Sequence, residues 1–257
     1  IETENGAKTM GRPQGIYITM EAPNLSVPDE DYHREISREL ARHMKKLLPE
    51  KEELKALVVG LGNREITPDS LGPDVISNLH ITRHLIQEYG TLGMGETCVH
   101  SVSGLVPGVM AQTGMETMEI IRGVVEETKP DVVIAIDALA ARSVKRLNRT
   151  IQLTDTGIQP GSGVGNHRNG LSETTLGVKV IGIGVPTVVD AATIVQDAMS
   201  HLLDALEEQE KKEFLEEMIT PSLHSMFMTP KDVDETIKRL SYTISEGLNL
   251  TFAKAEA

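Results

Sequence analysis

The sequence predicts an α/β protein with a three-layer α/β/α architecture around a mostly parallel sheet. The first observation is a set of short apolar runs, at 54–60, 132–136 and 178–185, which are typical of buried strands. The second is that segments with apolar residues three and four positions apart, typical of helices, lie between these runs. Strands that alternate with helices form parallel units with helices on both faces of one sheet.

The first half of the chain contains five predicted elements. They are an edge strand at 15–21, a helix over 28–48, a buried strand at 54–60, a single helix over 73–87 and a strand at 97–102. Pro73 suits the first turn of its helix, where the missing N–H has no intrahelical partner to lose.

The second half continues the alternation. We predict a helix over 113–129, strands at 132–136, 150–154 and 178–185, a flexible loop at 161–166 and a helix over about 189–206. Thr187 is the expected N-cap of the last of these, with Asp190 three residues later. A C-terminal helical segment, 213–250, follows. We expect one domain over 1–257, made of an N-terminal strand and helix (15–50), an α/β core (54–206) and this segment.

Composition limits the possible partners and compartments. The 257 residues include 25 Lys and Arg against 38 Asp and Glu, a formal net charge of −13, which disfavours direct binding to nucleic acid or to an anionic membrane. A single cysteine excludes an internal disulfide and suits a reducing compartment. No apolar run reaches the roughly 18 residues of a membrane span. Because the chain begins at Ile1 without a signal-peptide pattern, we expect a processed form or part of a longer chain.

Two aspartates follow apolar runs that we predict to be neighbouring parallel strands. Asp69 lies in the segment 57–73 and Asp137 in the segment 132–143, each in a predicted loop at a strand's carboxyl end. Ligands and chemistry gather at that edge of an open α/β sheet, and two carboxylates together could share one proton and activate a water. The alternatives are structural: Asp69 could cap the helix near Pro73, and Asp137 could accept hydrogen bonds from the amides of 139–141.

The sequence gives little support to a dinucleotide-binding site or to a serine nucleophile. The turn 60–63 lacks the third glycine of a dinucleotide-binding motif, since position 65 is Glu65. Ser162 does not stand in a nucleophile-elbow motif, because Pro160 occupies the position of its first glycine.

The histidines and the cysteine form no tight metal-binding motif. Cys98 and His100 would share one face of a strand, and His80 and His84 would share one face of the helix 73–87. If the aspartates bound a metal, His100 or His167 would be the most plausible third ligand.

Beyond these patterns, long strings of the sequence resemble the bacterial spore germination proteases. The strings are 60–73 (GLGNxxxTPDxLGP), 81–85 (ITRHL), 105–110 (LVPGVM), 134–143 (IAIDALAARS), 157–166 (GIQPGSGVGN) and 184–191 (GVPTVVDA). The similarity runs from about 15 to 206 and resumes at 228–234.

The resemblance implies an atypical aspartic endopeptidase without a cofactor, in which Asp69 and Asp137 are catalytic. It also implies that the substrates are small acid-soluble spore proteins, and that the enzyme is a cytoplasmic homotetramer made as a zymogen. The implied fold is similar to that of the hydrogenase maturation endopeptidases. Two alternatives remain open: a metal-dependent, nickel-linked maturation-type endopeptidase, or a catalytically silent nickel- or peptide-binding protein on the same fold.

Overall fold

The computed structural model describes residues 1–93, 100–159, 170–203 and 220–253. The predicted loop 161–166 and the residues Cys98, Ser162 and His167 lie outside these ranges. Within them, no helix combines the length and the apolar character needed to cross a membrane.

A seven-stranded sheet forms the centre of the molecule. Its strands are β1 (Tyr17–Glu21), β2 (Lys55–Gly60), β3 (Ser101–Leu105), β4 (Val132–Ala141), β5 (Thr150–Thr154), β6 (Lys179–Asp190) and β7 (Phe227–Met228). The order across the sheet is β1-β5-β6-β4-β2-β3, and β7 also pairs with β6. Strands β6, β4, β2 and β3 are parallel neighbours, whereas β1, β5 and β7 join by antiparallel pairing. The predicted mostly parallel sheet is confirmed, and β1 lies at an edge as expected.

Helices cover both faces of this sheet. They are α1 (Glu4–Met10), α2 (Glu30–Leu47), α3 (Leu71–Ser77), α4 (Arg83–Gly93), α5 (Met110–Thr113), α6 (Thr117–Thr128), α7 (Glu173–Leu176), α8 (Ala191–Leu203), α9 (Pro221–His224) and α10 (Val233–Phe252). On one face, α2, α3 and α10 pack through buried residues such as Leu40, Val75 and Ile244. On the other, Ile121 of α6 packs against the sheet. The three predicted layers are therefore present.

The single helix predicted over 73–87 is wrong, because the chain breaks between α3 and α4. Asn249 of α10 binds the backbone at this break: its Oδ1 accepts from the His80 amide at 2.9 Å, and its Nδ2 donates to the Asn78 carbonyl at 3.4 Å. His80 therefore lies between the two helices and does not share a helix face with His84.

The junction of β6 and α8 also differs from the prediction. Strand β6 runs five residues further than expected and includes Thr187, which therefore does not cap α8. Asp190 has that role instead, since its Oδ1 accepts from the amide of Thr193 at 2.8 Å. The helix predicted over 113–129 is likewise divided into α5 and α6, with Gly114 in the left-handed conformation between them.

Candidate active site

A cleft of about 480 Å³ opens at the carboxyl end of the parallel strands and contains both predicted aspartates. It is lined by Ile66, Pro68, Asp69, Asp137, Ala138, Leu139, Ala140, Gln159, Thr187, Val188, Phe227, Met228 and Thr229. Among these described lining residues, Asp69 and Asp137 are the only ones with ionisable side chains. The sequence-based expectation that the two meet at one edge of the sheet is confirmed, because β2 and β4 are adjacent and parallel.

The sequence predicts Asp137 in a loop after its strand, and this is wrong. Asp137 lies inside β4. The strand continues to Ala141, and Asp137 stands opposite Gly184 of β6. Its exposed fraction is only 5%. Because side chains alternate along a strand, it follows Val133 and Ala135 on the same face. Pairing with β6 on one side and β2 nearby makes this aspartate part of the rigid sheet.

Asp69 is half-buried and belongs to a 3-10 turn, Thr67–Asp69, that precedes α3. It is not the N-cap of that helix, a position taken by Ser70. Its Oδ2 instead accepts from the amide of Asn63 at 2.8 Å, and its own amide donates to the Ile66 carbonyl at 2.8 Å. The loop 60–69 therefore folds back on itself and directs this carboxylate.

Two glycines allow the loop and α3 to lie directly on the strand ends. Gly62 has φ +111°, and a Cβ there would collide with the Asp69 carbonyl oxygen. A Cβ at Gly72 would lie 2.7 Å from the carbonyl oxygen of Ile136, the residue before Asp137. These close approaches bring the Asp69 turn and strand β4 together.

Thr187 links the Asp69 turn to the sheet. It is 1% exposed, and its Oγ1 donates to the Pro68 carbonyl at 2.7 Å. The Thr187 carbonyl in turn accepts from Oγ1 of Thr229 at 3.0 Å. Sequence reasoning missed this role, because a threonine after a strand and before a helical pattern has the signal of an N-cap.

The C-terminal part of the chain supplies one apolar wall of the cleft. Phe227 and Met228 form β7, which pairs with Val189 and Asp190 of β6. They are 38% and 52% exposed, and Ile66 on the Asp69 loop is 52% exposed. No local signal predicted this contribution, since two residues are too few to show a strand pattern.

Of the two histidines named as a third metal ligand, His167 lies outside the described residues and His100 is misplaced for that role. His100 adjoins the start of β3, where its Nδ1 accepts from the amide of Leu54 at 3.2 Å. That is the amino end of the parallel strands, whereas Asp137 lies at the carboxyl end. In the described parts of the chain, no group of three or more His, Cys, Asp or Glu is arranged to hold a metal ion.

Comparison with known proteins places the chain in a family. The family model described as "Germination protease" matches residues 1–207. A germination protease of Caldanaerobacter subterraneus is 47% identical over 97% of this chain and 82% of its own length. One from Clostridium tetani is 45% identical over 99% of this chain and 84% of its own length.

A search of solved structures found a weaker similarity. It is to a [NiFe] hydrogenase maturation protease, HycI, from Thermococcus kodakarensis, with a TM-score of 0.37 and 15% identity. The match covers 80% of this chain and 98% of that one, but at this level it gives no information about the chemistry of this chain. The family model and the near full-length relatives are decisive: the chain belongs to the germination protease family of peptidases.

Proposed function

We propose that the protein is an endopeptidase in which Asp69 and Asp137 together activate a water molecule. The observation that carries this proposal is the position of the two carboxylates, which come from separate elements and line the same cleft. Apolar residues such as Leu139 and Phe227 line the cleft beside them. An extended peptide could lie across such a cleft with its carbonyl near both carboxylates.

The proposed reaction is general acid–base hydrolysis. One aspartate, ionised, takes a proton from the water as its oxygen attacks the peptide carbonyl carbon. The other, protonated, donates a hydrogen bond to the carbonyl oxygen, where negative charge develops. When the C–N bond breaks, one of the two aspartates, both now protonated, gives its proton to the leaving amine, and the pair returns to its starting state with one shared proton. Because a close pair titrates as a unit, the two roles are not assigned to individual residues.

The substrate part of the proposal rests on family membership. We propose that the substrates are the small acid-soluble proteins of spores and that their cleavage accompanies germination. From the same relationship we propose a zymogen form, a homotetramer and a location in the spore cytoplasm. The net charge of −13 supports a partner that is protein and not nucleic acid.

The experiment is incubation of the chain with a purified small acid-soluble spore protein, with and without EDTA, followed by mass spectrometry. We expect internal fragments at the same rate in both samples, since the proposed chemistry needs no metal. Loss of cleavage in EDTA, restored by added nickel or zinc, would instead support the metal-dependent alternative. Binding of the substrate without any cleavage, even after an incubation long enough for self-processing of the proposed zymogen, would contradict the proposed activity and support a binding protein on a peptidase fold.

A further inference from the structure

We propose that Thr187 is a positioning residue for the two-aspartate site. Its hydroxyl holds the peptide between Pro68 and Asp69, and thereby keeps the Asp69 carboxylate in the cleft with Asp137. This inference rests on the proposed function, because it assigns a role within that same reaction. Three features of the structure support it.

The first feature is that both polar groups of the Pro68–Asp69 peptide are hydrogen-bonded. The Pro68 carbonyl accepts from Thr187 at 2.7 Å, and the Asp69 amide donates to Ile66 at 2.8 Å. A peptide unit is planar, so two bonds from opposite sides fix its orientation. The proline ring also restricts the φ angle of Pro68, the residue before Asp69. The direction in which the Asp69 side chain leaves the backbone is therefore determined largely by these contacts.

The second feature is a register shift in the ladder between β4 and β6. Leu139 pairs with Pro186, but the next residue, Ala140, pairs with Val188. Thr187 is thus an extra residue, as in a β-bulge, an irregularity that is rare in parallel pairs and that re-aims side chains next to active sites. Here the extra residue is Thr187 itself, whose hydroxyl donates to the turn that carries Asp69.

The third feature is that one short stretch of β6 contacts both aspartate-bearing elements. Gly184 pairs with Asp137, and three residues later Thr187 binds the turn that carries Asp69. The Thr187 carbonyl is held from the other side by Thr229. With Thr187 only 1% exposed, water cannot easily replace its hydroxyl, and loss of the hydroxyl removes this donor from the Pro68 carbonyl.

The test compares Thr187→Val, Thr187→Ser and a control, Thr251→Val, by steady-state cleavage of a small acid-soluble spore protein. Thr251 is 3% exposed and its Oγ1 donates to the Gly247 carbonyl at 2.7 Å within α10, so valine there removes a buried threonine hydroxyl and a hydrogen bond of the same length away from the cleft. We expect Thr187→Val to lower kcat by at least about tenfold, because small misplacements of catalytic groups are costly, with KM changed by less than about twofold. Thr187→Ser should recover most of the lost kcat. The control Thr251→Val should have a kcat close to that of the unmodified chain.

Unchanged kcat in Thr187→Val, or an equal loss in Thr187→Ser, would overturn the inference. If valine prevents folding, Thr187→Ala replaces it, since alanine removes the hydroxyl without adding bulk. Asp69→Asn is measured in the same assay. If that variant retains activity, the proposed function itself is wrong. If it is inactive while Thr187→Val is fully active, only the positioning role is wrong.

Discussion

Asp69 and Asp137 are held in their cleft by different means. Asp137 is buried within β4, where the sheet ladder fixes its backbone. Asp69 lies in a short turn that is held by individual hydrogen bonds, from the Asn63 amide to the Asp69 carboxylate and from the Thr187 hydroxyl to the Pro68 carbonyl. Substitutions around the turn are therefore expected to disturb Asp69 more than Asp137, and to affect catalysis before they affect folding.

A second residue-scale feature, far from the cleft, is the partly buried His100. Burial lowers the pKa of His100, and the charge of Lys45 lowers it further. Its Nδ1 accepts from the Leu54 amide, so that nitrogen carries no proton in the folded state. In the unfolded chain the pKa returns to about 6.5. Below that pH the unfolded state takes up the proton more readily, and the free energy of unfolding decreases.

We therefore predict that stability falls as the pH is lowered through about 6.5 towards the depressed pKa of His100. The measurement is the thermal midpoint between about pH 7.5 and pH 5.5 for the unmodified chain, His100→Gln and the control His80→Gln. His80 is exposed. His100→Gln should flatten the decrease, and His80→Gln should not. Parallel curves for all three proteins would show that burial of His100 does not couple stability to pH.

At the scale of elements, apolar periodicity predicted the strands and helices that pack on a continuous core. The strands predicted at 54–60 and 150–154 are confirmed to within one residue as β2 and β5. The break between α3 and α4 was missed because Asn249, distant in sequence, provides its hydrogen bonds. Local patterns do not contain such contacts.

The same reasoning explains the errors at the candidate active site. The position of Asp69 and Asp137 followed from the rule for parallel strand ends, which needs only the order of elements. The length of β4, which places Asp137 inside the strand, depends on pairing with β6. The role of Thr187 depends on a contact with Pro68 across the fold. The layers and the mostly parallel sheet were predictable from the chain, whereas individual tertiary hydrogen bonds were not.

The C-terminal helix α10 is an element whose packing can be tested directly. Leu240, Ile244 and Leu248 are fully buried and share the face that covers the sheet with α2. Ile244→Ala should lower the free energy of unfolding by about 2–5 kcal/mol, through lost burial and a residual cavity. Urea titration measures this loss. The control Lys238→Ala, at a side chain 71% exposed on the same helix, should change stability by less than about 0.5 kcal/mol. Equal effects would contradict the packing described for α10.

For the whole molecule, the cleft is the place where distant parts of the chain meet. The turn before α3, strands β4 and β6, and the segment that contains β7 each provide part of its lining. Helix α10 follows β7 in the chain and packs against α2 and α3 through residues such as Leu240 and Ile244. The apolar wall of Phe227 and Met228 is thus attached to the main core, and the site depends on the complete fold.

The central claim is that two carboxylates carry the hydrolysis, and one kinetic comparison tests it most directly. It measures kcat for cleavage of a small acid-soluble spore protein by Asp69→Asn, Asp137→Asn and Asp131→Asn, each shown to be folded by its thermal unfolding. Asp131 precedes β4, at the end of the strand opposite Asp137, and accepts from the Lys55 amide at 2.8 Å, which makes it a matched control. We predict that both active-site variants lose at least about 10³-fold in kcat, while Asp131→Asn stays within a few fold of the unmodified enzyme. Near-normal kcat in a folded Asp69→Asn or Asp137→Asn variant would contradict the two-aspartate mechanism.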